Sequence, residues 1–238
     1  MKLDILVFAV HPDDAELGCS GTLLKHIADG KKVGIIDFTR GELGTRGSAE
    51  IRDREAADSA KILGLHVREN LKLRDGFFKN DEQHQLELIK MVRKYQPEIV
   101  LTNALHDRHP DHGRAGDLAN DAIFLSGLRR IETQLDGVAQ TAWRPRLVLQ
   151  YIQDRYIEPD VIIDITDFME TKLAAIRAFK TQFDSPDNKE PQTYISSPEF
   201  LEAVISRARE FGKSVGATYA EGFTSRKLLG VDSLFNLR

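Results

Sequence analysis

The sequence predicts an α/β protein: a doubly wound, mostly parallel sheet with helices on both faces and a helical appendage at its C-terminal end. Three observations predict it. Short runs rich in Val and Ile, bounded by Gly, Pro and Asp, recur along the chain. Stretches with apolar residues three and four apart lie between them. The two alternate at crossover length, which forces neighbouring strands to run parallel.

In chain order, the strand candidates are residues 3–10, 32–39, 98–102, 146–151 and 161–165, with a weaker pattern at 67–73. Leu17, Leu24 and Ile27 mark the first helix, and Ala56, Ala60 and Leu63 the second. Leu86, Ile89 and Val92 mark a third, and Met169, Leu173 and Ile176 a fourth. The rhythm then changes. Polar turn residues at 184–189 and 196–198 precede a helix carrying Phe200, Val204 and Phe211, which reads as an appendage on the same core. No composition shift marks a linker and no repeat recurs at a fixed period, so residues 1–238 read as one domain.

Composition narrows the function. With 41% hydrophobic and 29% charged residues, the chain falls in the globular class and outside the disordered ones. Its 33 Lys and Arg against 37 Asp and Glu give a net charge of −4 without a charge block, so nucleic acid is not an expected partner. The longest apolar run, residues 5–10, is strand-sized and far short of the roughly 18 residues a bilayer span needs. Cys19 is the lone cysteine and cannot form an intrachain disulfide; with no leader-like N-terminus, a reducing cytoplasm is the expected location.

In an open parallel sheet, ligands bind outside the carboxyl ends of the strands. Two loops at such ends combine imidazole with carboxylate. The first reads His11-Pro12-Asp13-Asp14-Ala15-Glu16; the second reads His106-Asp107-Arg108-His109-Pro110-Asp111-His112. A catalytic zinc site uses three protein ligands plus water, and these residue types suit it. His11 and Asp14, three apart across a tight turn, can bend toward one ion while Asp13 stays free for proton transfer. His112 can complete the set, leaving His109 as an unligated imidazole whose tautomer Asp111 could fix and whose pKa Asp111 could raise. Other readings stand beside this one. Asp14 or Asp111 can serve as helix caps, and His106 with His109 is an alternative ligand pair. Cys19, beside Gly18 and Gly21, reads as core filling, and His26, His66 and His84 as ordinary helix or loop groups. A dinucleotide site lacks its G-x-G-x-x-G turn, and a closed structural zinc site lacks its cysteines.

HPDDAE after the first strand and HPDH before a later helix resemble the zinc-dependent N-deacetylases of the PIG-L/LmbE family. The similarity is strongest to the branch serving bacillithiol biosynthesis, whose substrate is N-acetylglucosaminyl malate. It extends through DRHPDH, AIFLSGLRR, FGKSVGATYAEGF and the Gln182-Phe183 region. The resemblance implies a Rossmann-like fold, one Zn2+ per chain, a small N-acetyl sugar conjugate as substrate and a homo-oligomer. It makes His11, Asp14 and His112 the zinc ligands and Asp13 the general base. It makes His109 the group that stabilises the oxyanion and protonates the leaving amine, with Asp111 as its orienting partner. Arg52 matches a position lining the family's substrate site. Because malate carries two carboxylates, Arg52 and Arg108 are the expected guanidinium partners. The Gly-rich loop 40–47 is expected to cradle the sugar, act as a lid or simply turn the chain. One departure is Phe200, near which some relatives carry an active-site tyrosine.

Overall fold

The protein is described by a computed structural model over residues 1–183 and 189–237. All but the last residue of the turn expected over 184–189 thus lies outside the described residues. Each segment expected as a strand is one: β1 (Ile5–Ala9), β2 (Val33–Asp37), β3 (Val67–Asn70), β4 (Ile99–Asn103), β7 (Leu147–Tyr151) and β8 (Val161–Asp164). Two short strands, β5 (Gln134–Leu135) and β6 (Val138–Ala139), form a separate hairpin. A further strand, β9 (Ala220–Thr224), follows the last helix.

The main sheet has the order β3-β2-β1-β4-β7-β9-β8. Pairings from β3 through β7 are parallel, and β9 runs antiparallel to both its neighbours. The chain therefore winds outward from β1 to β3, then returns to build β4 and β7 on the other side of β1. The order reverses between β1 and β4, and a crevice opens there between loops that diverge.

β1 shows why the sheet must be covered twice. Leu6, Phe8 and Val10 face one layer, where Leu88, Val92, Leu118 and Ala122 pack against them. Ile5, Val7 and Ala9 face the other, with Ala15, Cys19, Leu23 and Leu24. A strand apolar at every position belongs in the middle of such a sandwich. The first of these layers comes from α4 (Glu82–Tyr95) and α5 (Pro110–Ser126). The second comes from α1 (Asp14–Gly18), α2 (Ser20–Ala28) and α6 (Met169–Arg177), with α3 (Ala49–Leu63) beside α6. The appended helix is α7 (Pro198–Ser214), whose Phe200, Val204 and Ala208 pack on a third cluster with Leu17 and Phe183.

The single helix expected around Leu17 to Ile27 is two. The chain breaks at Cys19, where φ is −147°. A buried ion pair stabilises the break. Lys172 Nζ donates to the carbonyls of Glu16 (3.0 Å) and Leu17 (2.8 Å), freed by the interruption. The Glu221 carboxylate accepts from the N–H groups of Gly21 (2.9 Å) and Thr22 (2.7 Å) at the start of α2. Lys172 and Glu221 meet each other at 2.7 Å. The break aims α1 at the crevice separately from α2.

Candidate active site

The crevice is walled by loops leaving the carboxyl ends of β1, β2, β3, β4 and β7, and it encloses a cavity of about 330 Å³. β1 delivers His11 and Asp13 before α1 starts at Asp14; β4 delivers 106–109 before α5 starts at Pro110. Both expected loops therefore meet across the switch point, although they are nearly a hundred residues apart in sequence.

Asp14 lies between two imidazoles. Its Oδ2 is 3.6 Å from His11 Nδ1 and its Oδ1 is 3.3 Å from His112 Nε2. The carboxylate is not a helix cap: it accepts from His11 N (3.0 Å), Asn103 Nδ2 (3.1 Å) and Gln153 Nε2 (2.7 Å), which fix both oxygens. Each imidazole turns its far nitrogen to a carboxylate. His11 Nε2 bonds Asp75 at 3.0 Å and His112 Nδ1 bonds Asp107 at 2.7 Å. Such carboxylate anchors set the tautomer and orientation of metal-binding histidines. Sequence reading missed Asp75 and Asp107. The signal existed, since Asp75 sits in the loop after β3 and Asp107 within the second histidine cluster.

The electrostatics calls for a cation. Burial opposes the charged form of His112, but Asp14 and the bond to Asp107 outweigh it and push its pKa up to about 9. The same contest raises His11 well above its ordinary value, with Asp111, Asp14 and Asp75 winning over burial. Burial also opposes ionisation of Asp14, yet His112 and His11 hold its carboxyl well below the usual range. Once an ion displaces their protons, two imidazole nitrogens and one carboxylate oxygen, each backed by hydrogen bonds, form a donor set that fits a divalent ion with open positions. Among the described residues, the groupings whose ligand atoms all lie within 4.8 Å of one another are His11, His109 and His112, and His11, Asp75 and Asp111, neither of which includes Asp14. His109 lacks a carboxylate anchor among the described residues, and Asp75 already serves as the anchor of His11.

Asp13 behaves unlike its neighbour. Burial, opposed by Arg52 and reinforced by Asp14, pushes its pKa up to about 7. Its backbone has φ 146°, a conformation rare for a side chain with a Cβ. Arg52 Nη2 holds it in place, donating to Asp13 Oδ2 (3.1 Å) and to the Pro12 carbonyl (3.0 Å), while Nη1 reaches the Gly41 carbonyl at 3.3 Å. Arg52 is 4% exposed. It was expected to clamp a substrate carboxylate; its guanidinium is instead turned inward onto Asp13 and two carbonyls, although it borders the cavity.

His109 is the N-cap of α5, its Nδ1 accepting from Asp111 N at 3.3 Å. A neutral ring in that role carries its proton on Nε2. The expectation that the Asp111 carboxylate orients His109 is corrected here. That carboxylate accepts from Gly76 N and Arg114 Nη1, both at 2.9 Å, and lies 3.7 Å from His11 Nε2. Helix geometry explains this: Asp111 sits in the first turn of α5 and points away from the cap. The expected rise in the His109 pKa is likewise reversed. Burial, then the nearby His11 and His112, hold it below its ordinary value, and the pull of Asp111 is weaker.

Arg108 lies on the rim, its Nε bonded to Asp154 Oδ2 at 2.9 Å and its guanidinium 4.4 Å from the centre of the Tyr194 ring. The tyrosine itself stacks edge-on against Phe200, so an exposed phenol does stand beside that position. His106 bonds Arg155 at 2.9 Å, outside the cluster, which removes the His106–His109 pair. Residues 43–46 of the Gly-rich loop form one wall. The wall is braced by Leu43 N donating to Asp75 (3.1 Å) and Gln182 Nε2 donating to the Arg46 carbonyl (2.8 Å).

The PIG-L family pattern, described as GlcNAc-PI de-N-acetylase, matches residues 6–123, the stretch that contains both loops. The chain is 31% identical over 230 residues to the diacetylchitobiose deacetylase of Thermococcus kodakarensis, covering 92% of this chain and 81% of that protein. It is 25% identical over 195 residues to the probable N-acetyl-alpha-D-glucosaminyl L-malate deacetylase 2 of Bacillus subtilis, covering 76% and 84%. Among solved structures it is similar to a conserved protein from Thermus thermophilus, with a TM-score of 0.85 and 35% identity, covering 97% of this chain and 98% of that one.

Proposed function

We propose a function from one premise: this chain belongs to the PIG-L family of de-N-acetylases. In this reading it is a zinc-dependent hydrolase that releases acetate from an N-acetylglucosaminyl conjugate, N-acetylglucosaminyl malate being the favoured substrate. The observation that carries the reading is Asp14 bracketed by two imidazoles, each anchored from behind by a carboxylate, with a second carboxylate beside it left outside the set. His11, Asp14 and His112 would hold the ion. When bound, it supplies Lewis acidity that polarises the acetyl carbonyl and lowers the pKa of water.

The remaining work falls to this chain's own groups. Asp13, with a pKa near 7, is poised to take the proton of the attacking water and to return it to the leaving nitrogen. Arg52 fixes the carboxylate and limits how far its pKa rises. His109 donates its Nε2 proton in a hydrogen bond to the oxygen where negative charge develops, a role a neutral ring performs. Its lowered basicity makes Asp13 the better courier to the amine. Asp111 acts on His11 through their 3.7 Å approach, and Arg108 on the rim is placed to meet the part of the conjugate beyond the sugar.

A neutral N-acetylated disaccharide is the second reading, favoured by the 31% identity to a diacetylchitobiose deacetylase. Acetate release by the zinc-loaded protein from N-acetylglucosaminyl malate, N,N'-diacetylchitobiose and free N-acetylglucosamine decides between them. The expected result is a kcat/KM at least tenfold higher for the malate conjugate than for N,N'-diacetylchitobiose; the reverse order would favour the disaccharide. No acetate from any of the three would end the deacetylase reading.

A further inference from the structure

We propose that Arg46 is an anion-recognition residue of the cleft, placed to receive an oxyanion, carboxylate or phosphate, that the substrate carries away from its acetamide. The inference deepens the proposed function and rests on it for the identity of the cleft as a substrate site.

Three guanidiniums border the cavity. Arg52 is paired with Asp13 and Arg108 with Asp154. Arg46 is different. It is 5% exposed, and among the described residues its Nε and Nη1 have no hydrogen-bond partner. Among the described residues its Nη2 reaches a main-chain carbonyl alone, that of Glu190, at 3.5 Å. Among the described residues no carboxylate lies within 4.0 Å of it, and the Glu190 carboxylate accepts from Gly47 N at 3.0 Å instead. A guanidinium stays charged at any accessible pH, and a buried charge without a partner is unfavourable. A charge retained in that state beside a cavity is explained when its partner arrives with the ligand.

The setting is fixed in advance. The Arg46 carbonyl is held by Gln182, and the next residue, Gly47, has φ 72°. A Cβ at Gly47 would lie 2.7 Å from Thr181 Oγ1, so this corner of the loop closes tightly against the segment after α6. The same cavity carries His11, Asp13 and His112. One ligand can therefore present an acetamide to those groups and an acid to Arg46. The planar fork of Arg suits two-point contact with a carboxylate or phosphate.

The test compares the wild type with Arg46→Gln and Arg46→Lys, all zinc-loaded, on N-acetylglucosaminyl malate, its dimethyl ester and N-acetylglucosamine 1-phosphate. In Arg46→Gln the preference for the malate conjugate over its ester falls at least tenfold, carried by KM, and Arg46→Lys falls less. Whichever acid loses more on substitution identifies carboxylate or phosphate as the natural anion. An unchanged preference in both variants overturns the proposal. Calorimetric titration with malate and with inorganic phosphate provides a readout independent of turnover, with wild type binding one of them at least tenfold more tightly than Arg46→Gln. If no substrate yields acetate while anion affinity still depends on Arg46, the deacetylase reading fails and the anion site stands. If acetate is released and neither preference nor anion affinity depends on Arg46, the anion site fails alone.

Discussion

Two adjacent carboxylates, Asp13 and Asp14, are driven in opposite directions by surroundings a few ångströms apart. Asp14, between two imidazoles, is held ionised; Asp13, buried against a single guanidinium, is pushed up to about 7. In the proposed mechanism such divergence separates a ligand, Asp14, from a base, Asp13. It also has a stability cost. The folded-state pKa of Asp13 exceeds its unfolded value, so the folded chain binds an extra proton between pH 3.8 and about 7, and stability falls as pH rises through that window. Asparagine cannot ionise. In metal-free protein at pH 8, Asp13→Asn should gain roughly 2–4 kcal/mol in urea unfolding, while losing about 10²–10⁴ in turnover when zinc is restored. Coincident unfolding curves at pH 8 would contradict the pKa assignment. Asp107 offers a second check. Asp107→Ala removes the anchor of His112 Nδ1, and zinc affinity measured against a competing chelator should drop about 10–100-fold; an unchanged affinity would mean His112 needs no anchor.

Helix α1, only five residues long, is separate from α2 because a buried ion pair takes up the backbone groups the break exposes. Lys172→Met leaves Glu221 charged, 4% exposed and without its cation, and should destabilise the fold by about 3–5 kcal/mol. Lys172→Met combined with Glu221→Gln should recover part of that loss, and a single variant within about 1 kcal/mol of wild type would show the pair to be dispensable. This device was not legible in the sequence. Leu17, Leu24 and Ile27 keep helical spacing across the break, and the groups that stabilise it come from chain segments about 150 and 200 residues away. β9 was illegible for a related reason. Its residues, Ala220 to Thr224, contain one large apolar side chain, Phe223, and Gly222 sits where a Cβ would come within 2.9 Å of the Phe211 ring. Its place in the sheet is set by tertiary packing instead of by β-propensity. The Val- and Ile-rich strands, by contrast, declare themselves because both of their faces are buried.

Across the whole molecule, the residues lining the candidate site gather where the strand order reverses. β1 and β4 bring the two His-Pro-Asp loops together, β3 supplies Asp75, β7 supplies Gln153 and Asp154, and the loop after β2 supplies the wall with Arg46. The core of this site could be read from two local motifs at strand ends, since each carries its own imidazole and carboxylate. Its anchors and its unpaired guanidinium could not, because their significance lies in which partners they find or lack in three dimensions. Among the described residues no helix is long and apolar enough to cross a membrane. We propose that residues 1–238 form one domain, for which a single cooperative unfolding transition is expected in both metal-free and zinc-loaded protein.

The central claim is that neighbouring aspartates divide the labour, one holding the ion and the other moving the proton. The zinc-to-protein ratio of Asp13→Asn and Asp14→Ala, purified and dialysed side by side, tests it directly. About one zinc per chain should remain in Asp13→Asn and almost none in Asp14→Ala. Loss of zinc from Asp13→Asn, or its full retention by Asp14→Ala, would contradict that division.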